Sequence, residues 1–302
     1  MAAIRKSRSD RVFDIINVAI MLVVLFIMIY PVYFVIIASV SEPNEVVTGN
    51  VYLYPKGFTL EAYQNVFKQD RILQGYTNSI LYTFLGTCWN LVLTIPLAYV
   101  LSRKKLRGRW LLTIYFLIPM YFSGGLVPQY IQVKNLGLLN QPYTLIILGG
   151  LNIYNMIVAR VYFQTAIPGD LYEASKIDGA SEFRTFFSIM IPLAKPIIAV
   201  ITLYYAVWRW NDYFNALIYT SKQSYQPLQM VLRGILLMNE NMTELMAGSD
   251  DAENIMDMAR LAHLAQTMKY ALIFIASAPM LIIYPFVQKH FVKGMMVGSV
   301  KG

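Results

Sequence analysis

The stretch Tyr172-Glu173-Ala174-Ser175-Lys176-Ile177-Asp178-Gly179 separates two long apolar parts of the chain, and Ile189-Met190-Ile191-Pro192 begins ten residues after its end. A charged segment of helical composition inside such an apolar chain needs a physical reason. A membrane protein that moves a solute unaided has no evident use for it. We therefore interpret the stretch as a surface that a soluble partner grips.

Long apolar blocks fill most of the remaining sequence. Hydrophobic residues make up 57% of the chain and charged residues 14%, whereas soluble domains carry about 25% charged residues. A helix of ~20 apolar residues crosses a hydrocarbon core, and isolated strands would leave backbone groups unpaired in lipid. The sequence therefore predicts an all-α membrane protein with six transmembrane helices. The blocks are residues 15–40, 72–102, 110–133, 135–159, 196–220 and 270–288.

Basic residues predict the orientation of this bundle. With six spans both termini lie on one side of the membrane, and Lys and Arg are enriched on the cytoplasmic side. They cluster in the tail of residues 1–11, in the turn of residues 103–109 and in the charged loop of residues 166–192. We therefore expect a cytoplasmic basic tail, a six-helix domain over residues 12–302, cytoplasmic termini, and external segments at residues 41–71 and 221–266. The net charge of +8 is then explained by basic residues on the cytoplasmic side of the membrane, and it does not indicate a nucleic-acid partner.

The charged loop reads as two short helices joined by a turn. Residues 167–169, Ile-Pro-Gly, end the fourth block because proline removes a backbone donor. Asp170 is expected to cap the next helix, with Glu173 completing a capping box. Gly179 permits a sharp change of direction, and either Ala180 or Ser181 is expected to restart the chain as a second helix.

The first of these helices is expected to present a small apolar face. Leu171, Ala174 and Ile177 recur at helical spacing. Small residues let a helix lie closely in a groove of a partner. Charged side chains at Glu173, Asp178 and Arg184 would form pairs or caps at the edge of that contact.

The spacing of Glu173-Ala174, Gly179, Ile189 and Pro192 resembles the EAA loop of ATP-binding-cassette (ABC) importer permeases. In that family the loop docks into a groove on the ATPase subunit. The chain departs from the pattern at Ser175, its third position, and at Ile191, before the proline. Both changes conserve size or polarity. The resemblance implies the fold of a type I ABC importer transmembrane domain, and the expected ATPase-coupling residues are Glu173, Ala174, Ser175, Asp178, Gly179 and Arg184.

Other stretches are similar to the smaller permease of the carbohydrate-uptake group. Residues 210–213, Trp-Asn-Asp-Tyr, followed by Ala216-Leu217, match a pattern of its fifth span, and residues 124–128 and 136–138 resemble a subgroup for complex oligosaccharides. The resemblance implies a second homologous permease, two ATPase subunits, an extracytoplasmic solute-binding protein and an oligosaccharide substrate. It also implies a bacterial cytoplasmic (inner) membrane location. ATP and Mg²⁺ would be bound by the ATPases, so no cofactor is expected in this chain.

Polar side chains inside the apolar blocks are the candidate lining of a solute path, because they are costly in lipid and usually face the bundle interior. Residues 208–213 place aromatic rings beside an amide and two opposite charges. Sugars present hydroxyl edges and apolar C–H faces, which such a mixture suits. The predicted path residues are Trp208, Arg209, Trp210, Asn211, Asp212, Tyr213, Asn152 and Asn155.

Two alternatives qualify this interpretation. Arg209 and Asp212 lie three positions apart on a helix and are expected to form an ion pair, whereas Asn78 and Asn90 are expected to hold helices together. A basic side chain on the path would favour acidic, uronic-acid oligosaccharides, and this stands as a hypothesis. The candidates for it are Arg209, Arg160 and Lys269.

Several function classes are disfavoured. The sequence contains no phosphate-binding loop of the Walker type, no nucleophile paired with a base and no metal-ligand spacing, and Cys88 as the single cysteine allows no internal disulfide. We therefore expect a translocation subunit without catalytic residues. A permease for a non-sugar solute in the same importer class stays open, as do an ion-coupled secondary transporter, which the lack of an internal repeat disfavours, and a membrane-embedded enzyme.

Overall fold

The computed structural model describes residues 8–247 and 268–284, and within these ranges all regular structure is helical. A π-helical turn, Thr185–Met190, joins α10 to α11, and a 3₁₀ turn, Gln223–Tyr225, precedes α14. The helices are α1 (Arg8–Ser39), α2 (Pro43–Val47), α3 (Glu61–Phe67), α4 (Asp70–Ser102), α5 (Arg109–Tyr121), α6 (Leu126–Asn135), α7 (Thr144–Ile147), α8 (Ile153–Thr165), α9 (Gly169–Ile177), α10 (Glu182–Arg184), α11 (Ile191–Leu193), α12 (Lys195–Trp210), α13 (Tyr213–Tyr219), α14 (Leu228–Ala247) and α15 (Met268–Tyr284).

Two helices, α1 and α4, are long and apolar enough to cross a membrane alone. Two further spans arise if each bent pair counts as one: α5 with α6, bent by 112°, and Glu182–Leu193 with α12, bent by 79°. The six-span count and the side of the termini therefore stay predictions. Parts of the predicted basic tail, of the 221–266 segment and of the sixth block lie outside the described residues.

Backbone contacts divide the chain into two units, Met1–Gln69 with Gly234–Ile275, and Asp70–Arg233 with Ala276–Gly302. In the first unit α1 exposes most of its apolar side chains, as a helix surrounded by lipid does. The end of α1 is tied to α3 through the hydroxyls of Ser39 and Tyr63, which lie 2.8 Å apart. The second unit holds the candidate site.

Two predicted spans are interrupted at glycine pairs. The continuous helix expected over residues 110–133 breaks after Tyr121, where Gly125 adopts a φ of +84°. The helix expected over residues 135–159 is replaced by the short α7 and by α8, with Gly149 at a φ of +67° between them. Residues other than glycine rarely adopt a positive φ of this size. The prediction of continuous helices was wrong because apolar length was given more weight than these breakers.

The break between α7 and α8 leaves backbone carbonyls without helical partners, and a buried arginine takes two of them. Arg209 of α12 donates from Nη1 to the carbonyl of Leu145 at 2.5 Å and from Nη2 to that of Ile146 at 2.9 Å. Its Nε donates to Oδ1 of Asn90 at 2.9 Å. All three guanidinium nitrogens are thereby used inside the protein.

Asn90 of α4 binds two further carbonyls of the break. Its Nδ2 donates to Gly149 at 2.7 Å and to Gly150 at 2.8 Å. Asn90 is fully buried and Arg209 is 5% exposed. We call these two side chains the Asn90–Arg209 clamp. The prediction that Asn90 holds helices together is confirmed.

Asn78, which lies before Asn90 in α4, was also predicted to hold helices together, and it too makes structural hydrogen bonds. Its Nδ2 donates to the carbonyls of Ser224 at 2.8 Å and Gln226 at 3.0 Å. Ser79, the next residue, accepts a hydrogen bond from the backbone N–H of Leu228 at 2.8 Å. These contacts fix the chain where α14 begins.

The expected ion pair between Arg209 and Asp212 does not form in the described structure. Asp212 instead caps α13, accepting hydrogen bonds from the backbone N–H and the side-chain amide of Asn215 at 3.3 and 2.8 Å. Arg209 points across to α4, where Gly86 leaves room for it. A Cβ at Gly86 would lie 2.7 Å from the arginine Nε. Arg209 therefore binds acceptors that are distant in sequence rather than the nearby carboxylate of Asp212.

Replacing Arg209 with methionine removes all of its donors and leaves buried acceptors unpaired. An unpaired buried polar group costs about 1–3 kcal/mol, so we expect Arg209→Met to lower the free energy of unfolding by about 2 kcal/mol or more. Thermal unfolding of the detergent-solubilised protein measures this. The matched control is Asn211→Ala, since Asn211 is exposed and bonds only to the carbonyl of Val207 in its own helix. Equal stability of the two variants would contradict the clamp.

Candidate functional site

The charged loop forms a helical hairpin over residues 169–193, which we call the 169–193 hairpin. Helix α9 begins after Pro168 without a side-chain cap, so the capping box expected from Asp170 and Glu173 is wrong. Gly179 turns the chain at a φ of +72°. The second helix begins at Glu182. Ser181, one of the two predicted restart residues, caps it, and its Oγ accepts a hydrogen bond from the backbone N–H of Arg184 at 3.3 Å.

One face of α9 is buried against the helical bundle. Tyr172 and Ser175 are 8% and 3% exposed. The guanidinium carbon of Arg103, at the end of α4, lies 3.3 Å from the centre of the Tyr172 ring. Ser175 donates to the carbonyl of Tyr172 at 2.8 Å, and its Oγ lies 3.2 Å from that of Thr185. Ser175, expected to meet the ATPase, thus lies on the inward face and joins the two halves of the hairpin.

A carboxylate that the sequence reading did not single out locks the hairpin. Glu182 accepts a hydrogen bond from the Tyr172 hydroxyl at 2.5 Å and lies 3.1 Å from Nζ of Lys176. The bond from Tyr172 lowers the pKa of the Glu182 carboxyl, and hydrogen bonds to Tyr172 and Glu182 raise the pKa of Lys176. Glu182 could have been recognised from the sequence, because it lies in the first helical turn after Gly179.

The opposite face of the hairpin is apolar and exposed. Ile177 is 87% exposed and Phe183 is 79% exposed. The face predicted from helical spacing, formed by Leu171, Ala174 and Ile177, is exposed along its length. Glu173 forms an ion pair with Lys105, with Nζ and Oε1 3.4 Å apart. Four of the predicted ATPase-coupling residues next to this apolar face are also exposed. They are Glu173, Asp178, Gly179 and Arg184.

A continuous apolar core connects the hairpin with the middle of α12. Phe186 of the π-helical turn packs on Tyr99 of α4, with ring centres 4.9 Å apart. The same cluster of buried residues extends through Met190 and Ile201 to Tyr205. The hairpin and the middle of α12 therefore share one packed core.

Tyr205 lies at the edge of an open cleft of about 300 Å³. Its hydroxyl lies 2.7 Å from that of Thr94 and accepts a hydrogen bond from the backbone N–H of Asn152 at 3.1 Å. Asn152 caps α8 by accepting from the backbone N–H of Asn155 at 3.0 Å. The cleft is lined by Asn152, Tyr154, Asn155, Tyr204, Tyr205 and Trp208.

Three of the predicted path residues, Asn152, Asn155 and Trp208, meet in this cleft. The other members of the 208–213 run have separate roles. Trp210 is buried and donates to the carbonyl of Ala276 at 2.9 Å, and the ring of Tyr213 lies under Arg233 at 5.0 Å. Arg209, Asn211 and Asp212 make the structural contacts given above. Apolar and polar residues alternate too closely in this run for spacing alone to separate these roles.

Sequence reasoning missed Tyr204 and Tyr205 as cleft residues. The signal was available, because Tyr204 precedes Trp208 by four positions and shares its helix face. The hypothesised cations do not line the cleft. Arg209 belongs to the clamp, although its guanidinium carbon lies 4.7 Å from the centre of the Trp208 ring. Arg160 donates to the hydroxyl of Thr113 at 3.3 Å, and Lys269 lines a different pocket.

The cleft thus offers aromatic faces and amides without a charged side chain. Rings of this kind contact apolar C–H surfaces, and amides exchange hydrogen bonds with hydroxyls. Across residues 8–247 and 268–284, no group of three His, Cys, Asp or Glu side chains is arranged to hold a metal ion. The arrangement suits binding of a neutral polyhydroxylated surface.

The chain is similar to known proteins over nearly its whole length. Residues 1–297 match the family described as binding-protein-dependent transport system inner membrane component. The chain is 40% identical over 296 residues to the Bacillus subtilis protein LplC, covering 98% of this chain and 97% of LplC. It is 38% identical over 297 residues to the polygalacturonan/rhamnogalacturonan transport system permease protein YtcP of the same organism, covering 97% of this chain and 99% of YtcP.

A solved structure shares the fold. It is the crystal structure of a bacterial ABC transporter involved in the import of the acidic polysaccharide alginate. One of its chains superposes with a TM-score of 0.84 at 31% identity, covering 96% of this chain and 100% of that chain.

Proposed function

The chain belongs to the family of binding-protein-dependent transport system inner membrane components, and from that premise we propose that it is one of two homologous permeases in an oligosaccharide importer. It is the transmembrane translocation subunit of an ABC transporter, with the fold of a type I importer permease. ATP hydrolysis belongs to partner subunits. In this assembly two ATPases bind ATP and Mg²⁺, and a solute-binding protein delivers the sugar.

The two-faced 169–193 hairpin is the observation that carries this proposal. Its inward face is fixed to the bundle by Tyr172 and Ser175, whereas its outward face exposes Ile177 and Phe183 to solvent. Large apolar side chains on a polar loop are costly unless a partner covers them. In this family such a hairpin docks into a groove on the ATPase subunit, which would bury these side chains.

Coupling follows from the contacts of the hairpin. When the two ATPases close on ATP, the docked hairpin moves with them, and the packed core from Phe186 to Tyr205 passes that displacement to α12. The permease then alternates between inward-open and outward-open states. ATP acts through the different affinities of the partners for these two states.

The cleft supports an oligosaccharide as the cargo. Trp208 and Tyr154 present exposed rings, and Asn152 presents an exposed amide. The relatives named for polygalacturonan/rhamnogalacturonan and for alginate are proteins of the same fold and length. Because no cation lines this cleft, we assign any preference for acidic sugars to other parts of the importer.

The surroundings of the subunit follow from the same assembly. We place the chain in the cytoplasmic membrane of a bacterium, with six spans and with both termini and the 169–193 hairpin on the cytoplasmic side. The solute-binding protein then approaches the segments of residues 41–71 and 221–266 from outside. The distribution of Lys and Arg supports this orientation.

Placing a charge on the outward face tests the docking of the ATPase. Ile177→Asp puts a carboxylate where the proposal requires an apolar contact, so we expect copurification of the ATPase to fall about tenfold or more, because an uncompensated buried charge is costly. Leu136→Asp is the control, since Leu136 is also exposed, at 62%, but lies outside the hairpin. Undiminished copurification with Ile177→Asp would count against the proposed surface.

Removing the exposed indole tests the cargo. Trp208→Ala takes one ring from the cleft, and aromatic contacts contribute about 0.5–1.5 kcal/mol. We therefore expect the half-saturating oligosaccharide concentration for uptake into proteoliposomes to rise about three- to tenfold. Trp110→Ala removes an equally large ring, 71% exposed and away from the cleft, and should leave uptake unchanged. Equal uptake by both variants would refute a sugar contact at Trp208.

A further inference from the structure

The indole of Trp208 lies directly against the helix break between α7 and α8. A Cβ built on Gly149 would lie 2.3 Å from Cη2 of this ring and 3.2 Å from both Cζ2 and Cζ3. Carbon atoms in contact lie about 3.5–4.0 Å apart, so any side chain at position 149 would overlap the ring. The edge of the indole therefore occupies space that only glycine leaves free.

The groups that this ring touches are themselves fixed. Asn90 donates from Nδ2 to the carbonyls of Gly149 at 2.7 Å and of Gly150 at 2.8 Å. The guanidinium carbon of Arg209, the other member of the clamp, lies 4.7 Å from the centre of the Trp208 ring. At this distance a cation attracts an aromatic ring. The ring thus contacts both a backbone and a cation that the clamp holds in place.

A second indole covers the neighbouring glycine but does not line the cleft. A Cβ on Gly150 would lie 2.7 Å from Nε1 of Trp89, which belongs to α4. Trp89 is not among the residues that line the cleft, whereas Trp208 lines it and is 41% exposed. The two glycines therefore accommodate different rings, and only Gly149 acts on a ring of the cleft.

We propose that Gly149 is a positioning residue for the cargo, a role that rests on the proposed sugar contact of Trp208. Its missing side chain lets the indole stand where it meets the sugar. A side chain at position 149 would move the ring rather than the backbone. The reason is that Cη2 is the far end of a rotatable side chain, whereas Asn90 holds the glycine carbonyl. A ring displaced in this way loses part of its contact with the cargo.

Fluorine NMR of the full-length chain in detergent tests the position of the ring. 5-Fluorotryptophan labels the four tryptophans, and single Trp→Phe variants assign their signals. We expect Gly149→Ala to shift the signal of Trp208 and to leave that of Trp89 in place. Gly150→Ala should do the reverse. Gly137→Ala should shift neither signal, and it controls for backbone strain, because Gly137 has a φ of +69° and a Cβ there would meet open space.

Oligosaccharide uptake into proteoliposomes tests the consequence for the cargo. We expect Gly149→Ala to raise the half-saturating concentration about threefold or more, up to the value for Trp208→Ala, because the aromatic contact weakens. The double variant Gly149→Ala/Trp208→Ala should show no further rise, since two residues that act through one contact are not additive. Where Gly149→Ala fails to fold, Gly149→Asn repeats the overlap with less strain, because asparagine tolerates a positive φ.

Three results would overturn the positioning role. One is an unmoved Trp208 signal in Gly149→Ala. Another is an equal rise in half-saturating concentration with Gly137→Ala, which would assign the effect to backbone strain. The third is a full additional rise in the double variant, which would mean that Gly149 acts independently of the ring.

The same measurements separate this role from the sugar contact on which it rests. If Trp208→Ala alone leaves uptake unchanged, the sugar contact fails and the role of Gly149 fails with it. If Trp208→Ala weakens uptake and Gly149→Ala does not, only the positioning role fails.

Discussion

The carbonyl groups at the break between α7 and α8 are the constraint on which the rest of the site depends. Buried carbonyl groups outside a regular helix need hydrogen-bond donors from elsewhere in the protein. Asn90 and Arg209 supply them to residues 145, 146, 149 and 150. The break in turn lets Asn152 restart the helix and bond to Tyr205, which forms the cleft. The guanidinium of Arg209 is thus satisfied by Asn90 and two backbone carbonyls, and Arg209 is not among the residues that line the cleft.

The 169–193 hairpin has a buried inward face and an exposed apolar outward face. Its inward contacts, among Tyr172, Ser175 and Glu182, keep the two helical halves together. Its outward apolar side chains remain available to a partner. Because the buried cluster continues from Phe186 to Tyr205, the hairpin and the cleft share one packed core. A packed interior transmits displacement better than a flexible linker would.

Some local features of this chain could be read from the sequence, although the capping box of Asp170 and Glu173 could not, whereas the partners of long-range contacts could not be read at all. The turn at Gly179, the helix restart next to Ser181 and the exposed face around Ile177 follow from neighbouring residues, and all three are present. The pairing of Arg209 with Asp212 failed because the true acceptors lie on α4 and α7. Gly149-Gly150 carried a readable signal for the break, and Asn90 was expected to hold helices together, but nothing local identified the carbonyls 59 and 60 positions away as its partners.

The central claim is that the ATPase subunit docks on the outward face of the hairpin. Site-specific photocrosslinking in the assembled importer tests this claim most directly. A photoreactive amino acid is placed at position 177, on that face, or at position 172, on the inward face, and the adducts are identified by mass. The account predicts an ATPase adduct from position 177 and only internal adducts from position 172. Adducts from position 177 with lipid or with the solute-binding protein, and none with the ATPase, would contradict it.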